Sequence, residues 1–209
     1  MAVPIVVLAL LGYERLALLA ATGAFTVIYG GWLRPRERAR FAPLVSLALF
    51  ACAAAGTLAA GGGVVAVLVG VLMLTVASAA VVGWVSLGPP GPVFFVLVFG
   101  LSAQVTGVHD GARAVDPWIY LAVVAGSSVF ACLLAAAPLL VPRYRAEPAR
   151  PLRDLFPRRW GAVARTLTER AAIVGIVGVA AAAIVDPHRS YWIVCAGIAV
   201  VGMPVGRRD

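Results

Sequence analysis

The sequence contains no lysine, and charged residues make up only 12% of its 209 positions. A soluble globular chain carries roughly 25% charged and about 45–50% apolar residues. Here hydrophobic residues account for 62%, and the mean hydropathy is +0.99. Because a soluble core of this size cannot enclose so much apolar side chain, the surplus must face lipid. The composition therefore excludes a water-soluble domain and predicts an integral membrane protein.

Cysteine and histidine are also scarce. Cys52, Cys132 and Cys195 each lie alone inside an apolar stretch, and the two histidines, His109 and His188, are far apart in sequence. Disulfide frameworks and zinc ribbons need paired or closely spaced ligands, so we interpret the cysteines as small packing residues. We expect no metal and no cofactor. No nucleophile–base arrangement is recognisable, so the sequence does not predict an enzyme.

All 17 basic residues are arginine, and with nine acids they give a formal net charge of +8. A basic chain can bind nucleic acid, but these arginines lie between apolar stretches, where they determine membrane topology. We therefore expect no nucleic-acid partner. Arginine without lysine, together with abundant Ala, Gly and Val, is typical of a bacterial genome of high GC content. The predicted location is the bacterial cytoplasmic (inner) membrane.

A helix needs about 17–25 apolar residues to cross the roughly 30 Å of hydrocarbon in a bilayer. Seven apolar stretches approach or reach that length and predict an all-α polytopic bundle of about seven spans: Leu16–Leu33, Phe41–Ala60, Val64–Leu87, Val93–Val108, Pro117–Val141, Ala171–Val185 and Tyr191–Val205. Before them, Ala2–Leu11 is apolar but as a helix covers only about 15 Å. We interpret it as a half-span or as the remnant of a full helix.

Strict alternation of these spans places every arginine-rich segment on one side of the membrane. Cytoplasmic loops carry an excess of arginine and lysine. The basic turn 34–40, the linker 142–170 and the C-terminus are therefore predicted to be cytoplasmic, together with the proline turn 88–92. The loops predicted outside carry at most one arginine each.

The chain is predicted to divide into a first transmembrane unit (1–141), a basic linker (142–170) and the first two helices of a second unit (171–209). The linker holds eight arginines against three acids. Its second half is interpreted as an amphipathic helix with Trp160, Val163 and Leu167 on one face. Such a segment attaches electrostatically to anionic lipid headgroups; the alternative is a docking site for a soluble partner.

Transporters are often built from repeated units, and the chain contains a weak internal repeat. Segments 12–25 and 186–199 align with Arg15 opposite Arg189, and each arginine precedes a glycine eight residues later. Both segments are predicted to run from outside to inside. The pattern therefore predicts a parallel repeat of about six spans, of which the second unit is incomplete.

Three segments, Leu19–Phe25, Leu87–Phe95 and Asp186–Trp192, resemble the fusaric acid resistance family of aromatic acid exporters. Arg165–Arg170 followed by the Tyr-Trp turn also matches the opening of that family's second unit. The resemblance implies a repeated six-helix unit with a cytoplasmic segment between the units. It also implies export of small amphipathic, often aromatic, carboxylates, driven by the proton gradient.

Arg15 and Arg189 occupy equivalent external turns of the predicted repeat. We interpret them either as interfacial anchors that extend toward headgroups or as cations that guide an anionic acid at the outer mouth. Tyr191 and Trp192 belong to a predicted interfacial aromatic belt with Trp84, Trp118 and Tyr120. The alternative is that Tyr191 and Trp192 stack on an aromatic ligand.

Gln104 is costly in lipid and is predicted to face protein or water. It serves either as an interhelical hydrogen-bonding group or as part of a substrate path. Pro89 and Pro90 lie in a segment that cannot be regular helix, because proline lacks the amide donor. That segment is either a cytoplasmic turn or a broken helix that exposes backbone groups to a substrate.

The resemblance therefore implies a transporter for small carboxylates, and the residues considered as candidates for its path are Arg15, Pro89, Pro90, Gln104, Arg189, Tyr191 and Trp192. The alternative is a scaffold or subunit that does not transport and that completes its bundle with another chain.

Small residues repeat every fourth position along Ala51, Ala55 and Ala59, which allows close helix packing. A homo-oligomer or a second membrane chain is the expected protein partner.

Overall fold

The computed structural model describes Val6, Leu10 and residues 12–109, 111–156, 160–186 and 190–201. Apart from two isolated residues, the predicted half-span Ala2–Leu11 lies outside the described part of the chain. Arg189 and the C-terminal arginines also lie outside it. Arg15 belongs to a described helix, but its side chain is not among those described.

The described chain is almost entirely helical, as the apolar stretches predict. Each of its seven apolar helices overlaps one predicted span: α1 (Glu14–Ala24), α2 (Pro35–Gly61), α3 (Gly63–Trp84), α4 (Val93–Thr106), α5 (Pro117–Ala136), α6 (Ala162–Val185) and α7 (Ser190–Val201). The smaller elements are 3-10 turns at Phe25–Ile28 and Ala137–Leu140, short helices at Pro142–Ala146 and Leu152–Leu155, and a hairpin pairing Val108–His109 with Ala112–Arg113.

Four of these helices are long and apolar enough to cross a membrane. They are α2, α3, α6 and the continuous segment Pro117–Leu140, which extends α5. The apolar parts of α1, α4 and α7 are shorter. The structure therefore confirms a helix bundle of the membrane type with four full-length apolar helices, and the larger number of spans stays a prediction.

The basic segment 34–40 is not the turn that the sequence predicted. Proline at N1 is favourable because its missing amide hydrogen is not needed there, and Pro35 opens α2 in this way. The Glu37 carboxylate accepts a hydrogen bond from the Arg34 backbone amide at 3.2 Å, which caps the same helix end. These two residues start the helix inside the arginine segment, about two turns before the apolar stretch.

Helix α4 lies at the centre of the bundle, between a group formed by α1, α5 and α2 and a group formed by α3, α6 and α7. Two glycines allow this position. A side chain at Gly56 of α2 would collide with the Phe99 carbonyl of α4, and one at Gly100 would collide with Tyr191 of α7. More than half of α4 is buried, in keeping with its contacts to four other helices, α2, α3, α5 and α7.

Helices that follow one another in sequence alternate in direction, so the bundle has two distinct ends. One end gathers the start of α2, the proline turn between α3 and α4, and the chain between α5 and α6. These include the predicted cytoplasmic segments, and we call this the arginine-rich end. The opposite end carries the α2–α3 turn, the hairpin, the end of α6 and the start of α7. Helix α6 starts at Ala162 and runs without a break across the predicted linker boundary at 170.

Candidate functional site

A cavity of about 650 Å³ opens at the arginine-rich end. Its wall comes from the end of α3, the proline turn, the start of α4 and the facing ends of α6 and α7. Among the described residues of this wall, Ser86 is the one with a polar side chain. The others are apolar residues, glycines and prolines: Val82, Gly83, Leu87, Gly88, Pro89, Pro90, Gly91, Pro92, Val93, Phe94, Val163, Leu167, Ile198 and Ala199.

The proline turn that lines the cavity is attached to the connection between α1 and α2. The buried Tyr29 hydroxyl donates to the Gly91 carbonyl at 2.8 Å. The Trp32 ring lies against Gly88, at a distance of 3.2 Å from where a side-chain carbon would stand. Gly88 and Gly91 have φ of +73° and +71°, a left-handed conformation that favours glycine. Residues 88–92 are therefore a turn that faces the cavity, not a continuation of either helix.

Ser86 is conformationally unusual as well as polar. Its φ is +51°, the one positive value among the described residues other than glycine. The amides of Ser86 and Leu87 donate to the Gly83 and Val82 carbonyls at 3.2 and 3.0 Å, the bond pattern of a Schellman cap, in which the residue after the helix takes a left-handed conformation. The conformation of Ser86 is therefore explained by the end of α3, and its hydroxyl is the polar side-chain group among the described residues of the cavity wall.

Of the predicted path residues, Pro89 and Pro90 line the cavity, and the others that can be placed do not. Gln104 is half-buried in α4, ten residues beyond Phe94 and so about 15 Å further along the helix. Tyr191 is buried against Gly100. Trp192 is 57% exposed, with its ring 5.8 Å from the Tyr191 ring. The structure does not bring the predicted set together in one site.

Two pairs of buried hydroxyls link separate elements, one joining α4 to α5 and the other joining the 3-10 turn after α1 to α2. The Ser102 and Tyr120 hydroxyls are 2.9 Å apart, and the Ser102 hydroxyl also lies 2.5 Å from the Val98 carbonyl. The Thr26 and Ser46 hydroxyls are 3.0 Å apart. Tyr120 is fully buried, as Tyr191 nearly is, so the interpretation of both as belt residues is wrong. The packing face of each helix, which a single sequence does not reveal, decides their burial.

At the arginine-rich end, residues 142–156 lie across the start of α2, and we call them the linker strap. Glu37 is fully buried and accepts from the Arg150 backbone amide at 3.2 Å and from its guanidinium at 3.0 and 3.4 Å. This carboxylate raises the pKa of Arg150. The Phe156 ring of the strap stacks on Phe41, with ring centres 4.6 Å apart. The strap is therefore fixed to the bundle by both charge and apolar packing.

Two arginines at the start of α2 also bind the linker strap. Arg34 donates to the Pro148 carbonyl at 3.2 Å, and Arg36 donates to the Arg145 and Glu147 carbonyls at 3.4 Å each. These bonds join residues that are more than a hundred positions apart in sequence, so no local pattern predicts them. Two basic segments, predicted only to share a side of the membrane, form one surface.

The hairpin end is simpler. Asp116 caps α5 by accepting from the amides of Trp118 and Ile119 at 2.8 and 3.3 Å. Among the described residues, no three His, Cys, Asp or Glu side chains come together as a metal site would require. Glu37 is the one charged side chain found buried among those whose burial is described.

No protein-family model matches this chain, and comparisons with curated proteins and with solved structures likewise return no match. The resemblance to aromatic acid exporters therefore rests on the three sequence segments alone and stays a prediction.

Proposed function

We propose that this protein is a transporter of the bacterial inner membrane that exports small amphipathic or aromatic carboxylates. The observation that carries this proposal is the cavity at the arginine-rich end. Ligand pockets occupy roughly 300–1,000 Å³, with mostly apolar walls and a few polar groups. The present cavity, of about 650 Å³ with Ser86 in an apolar wall, falls within that description.

The arginines at this end supply the electrostatic part of the proposal. A surface of one charge sign raises the local concentration of the opposite ion. Organic anions in the cytoplasm would be attracted to this end, and the apolar body of the ligand would then enter the cavity. This requires the linker and the C-terminus to be cytoplasmic, which the arginine distribution favours. Pro89 and Pro90 would form the floor of the entry site.

The test is efflux of radiolabelled benzoate, the smallest aromatic carboxylate, from liposomes that contain the purified chain. Val163→Trp puts a large ring at the cavity wall at a position that is already 82% exposed, so folding is preserved. Val177→Trp on the same helix is the matched control, since Val177 is 62% exposed and is not part of that wall. We expect Val163→Trp to slow efflux about tenfold and Val177→Trp to leave it unchanged.

Coupling to the proton gradient is tested in the same liposomes. An imposed gradient should accelerate benzoate efflux, and a protonophore should abolish the acceleration. Benzoate leaving at the rate of protein-free liposomes, with and without the gradient, would count against export of this class of acid. Equal rates for the two tryptophan variants would show that the cavity is not the route.

A scaffold or subunit without transport activity is the second candidate. The observation that favours it is the interior, where the described part contains no buried charged residue apart from Glu37, which is committed to Arg150. Proton-coupled transporters place ionisable residues inside the membrane. Purification in mild detergent distinguishes the two candidates. A different membrane chain in fixed stoichiometry favours the scaffold, whereas a homo-oligomer with an internal aqueous cavity favours transport.

A further inference from the structure

The arginine-rich end carries much more positive than negative charge. Residues 34–40 and the linker strap together contain eight arginines and three acids, Glu37, Glu147 and Asp154. Two of the acids already have arginine partners. Glu37 is buried on Arg150, and the Asp154 carboxylate lies 3.5 Å from Arg153. Arg40 and Arg143 are exposed, one on each segment. The joined surface therefore presents positive charge outward.

Exposed apolar side chains flank these arginines. Leu140, at the end of the 3-10 turn, is 79% exposed, and Val141 and Tyr144 are also exposed, next to Arg143 and Arg145 of the short helix Pro142–Ala146. Apolar groups and arginines close together on a surface segment are typical of the interface between headgroups and acyl chains. There the arginines reach phosphate while the apolar side chains enter the hydrocarbon.

We propose that residues 34–40 and the linker strap form a binding surface for anionic phospholipid headgroups, and that Glu37 positions it. Lipid binding at this surface does not depend on whether the protein transports carboxylates. Because Glu37 and Phe41 fasten the strap to the start of α2, its arginines are held at the level where the apolar part of α2 begins. That level is the headgroup layer of a membrane spanned by α2. A loose linker with the same charges would not hold them there.

The experiment measures lipid selectivity of the full chain in phosphatidylcholine bilayers. Trace spin-labelled phosphatidylglycerol or phosphatidylcholine reports the relative association of each lipid with the protein. We expect a several-fold preference for phosphatidylglycerol that weakens as salt rises. The double variant Arg40→Gln, Arg143→Gln leaves the bonds of the strap intact and should remove most of this preference, since each basic residue near an anionic surface contributes roughly a fivefold factor. Arg113→Gln, at the opposite end, is the matched control and should change little.

The variant Glu37→Gln separates the effect of holding the linker strap in place from the effect of net charge. The substitution removes one negative charge and so makes the surface more positive, which by itself would strengthen the preference for phosphatidylglycerol. If the strap must be fixed in place, the preference falls instead, because the glutamine amide cannot hold the Arg150 guanidinium as a carboxylate does. A stronger preference in this variant would overturn the positioning role of Glu37. If the variant does not fold, the arginine variants still decide the proposal.

The proposal is overturned if the unmodified chain shows no preference for phosphatidylglycerol, as expected of arginines that serve a soluble protein partner. It is also overturned if the double arginine variant and Arg113→Gln behave alike. Benzoate efflux by the double variant keeps this result distinct from the proposed function. Efflux is compared at saturating benzoate, where attraction to the arginines no longer limits the rate. Unchanged maximal efflux with lost lipid preference supports the surface and leaves transport standing.

Discussion

The two ends of the bundle use a carboxylate at the start of a helix in different ways. At the hairpin end, Asp116 caps α5 through amides two and three residues away. At the arginine-rich end, Glu37 caps α2 and also binds Arg150, 113 residues further along the chain. The first contact fixes one helix, whereas the second fixes a distant segment. The same chemical group therefore has a local role at the hairpin end and a long-range role at the arginine-rich end, where it joins two distant segments into one surface.

The largest effect is expected from an experiment that asks which end faces the cytoplasm. In a chain with its three cysteines replaced by alanine, Arg143→Cys and Arg113→Cys place single thiols at the two ends, both exposed. If the arginine-rich end is cytoplasmic, a membrane-impermeant maleimide added to intact spheroplasts should label only Arg113→Cys. Labelling of both should follow lysis. The reverse pattern in intact spheroplasts would invert the proposed orientation.

A second experiment at the arginine-rich end compares the Glu37–Arg150 pair, in which only the carboxylate is buried, with an ion pair in which both side chains are exposed. Glu37→Ala leaves four donors of Arg34 and Arg150 without their acceptor, and it frees the strap from α2. We expect the melting temperature in detergent to fall by several degrees and proteolysis within residues 142–156 to accelerate. Glu169→Ala, which removes the exposed pair with Arg165 at 2.8 Å, should leave both measurements nearly unchanged. Equal effects of the two substitutions would mean that the strap is not fixed by Glu37.

How much of the structure the sequence predicts depends on how far apart in the chain the interacting residues are. In the described part of the chain, each apolar helix overlaps a stretch found by apolar length, four of them are long enough to cross a membrane, and the distribution of arginine anticipated which segments share an end. The start of α2 was missed although Pro35 and Glu37 carry a local capping signal, because apolar length alone ignores it. The Glu37–Arg150 pair and the cavity depend on segments far apart in sequence. For those features, the packing of α3, α4, α6 and α7 supplies the geometry, and no single segment encodes it.

The smallest effect is expected at the hairpin end, where the interaction is local. Asp116→Ala removes the acceptor for two amides of α5 and should destabilise the protein by about 1 kcal/mol, the usual value of an N-cap. For a chain of this size that corresponds to a fall of about 2–4 °C in melting temperature.

Asp116→Asn keeps a side-chain oxygen at the same position and should recover most of the loss. If asparagine behaved like alanine, the charge of Asp116 and not its capping geometry would stabilise α5. The carboxylates at the two ends would then both act through charge. Recovery by asparagine, together with a larger loss in Glu37→Ala, would establish that only the arginine-rich end depends on a long-range ion pair.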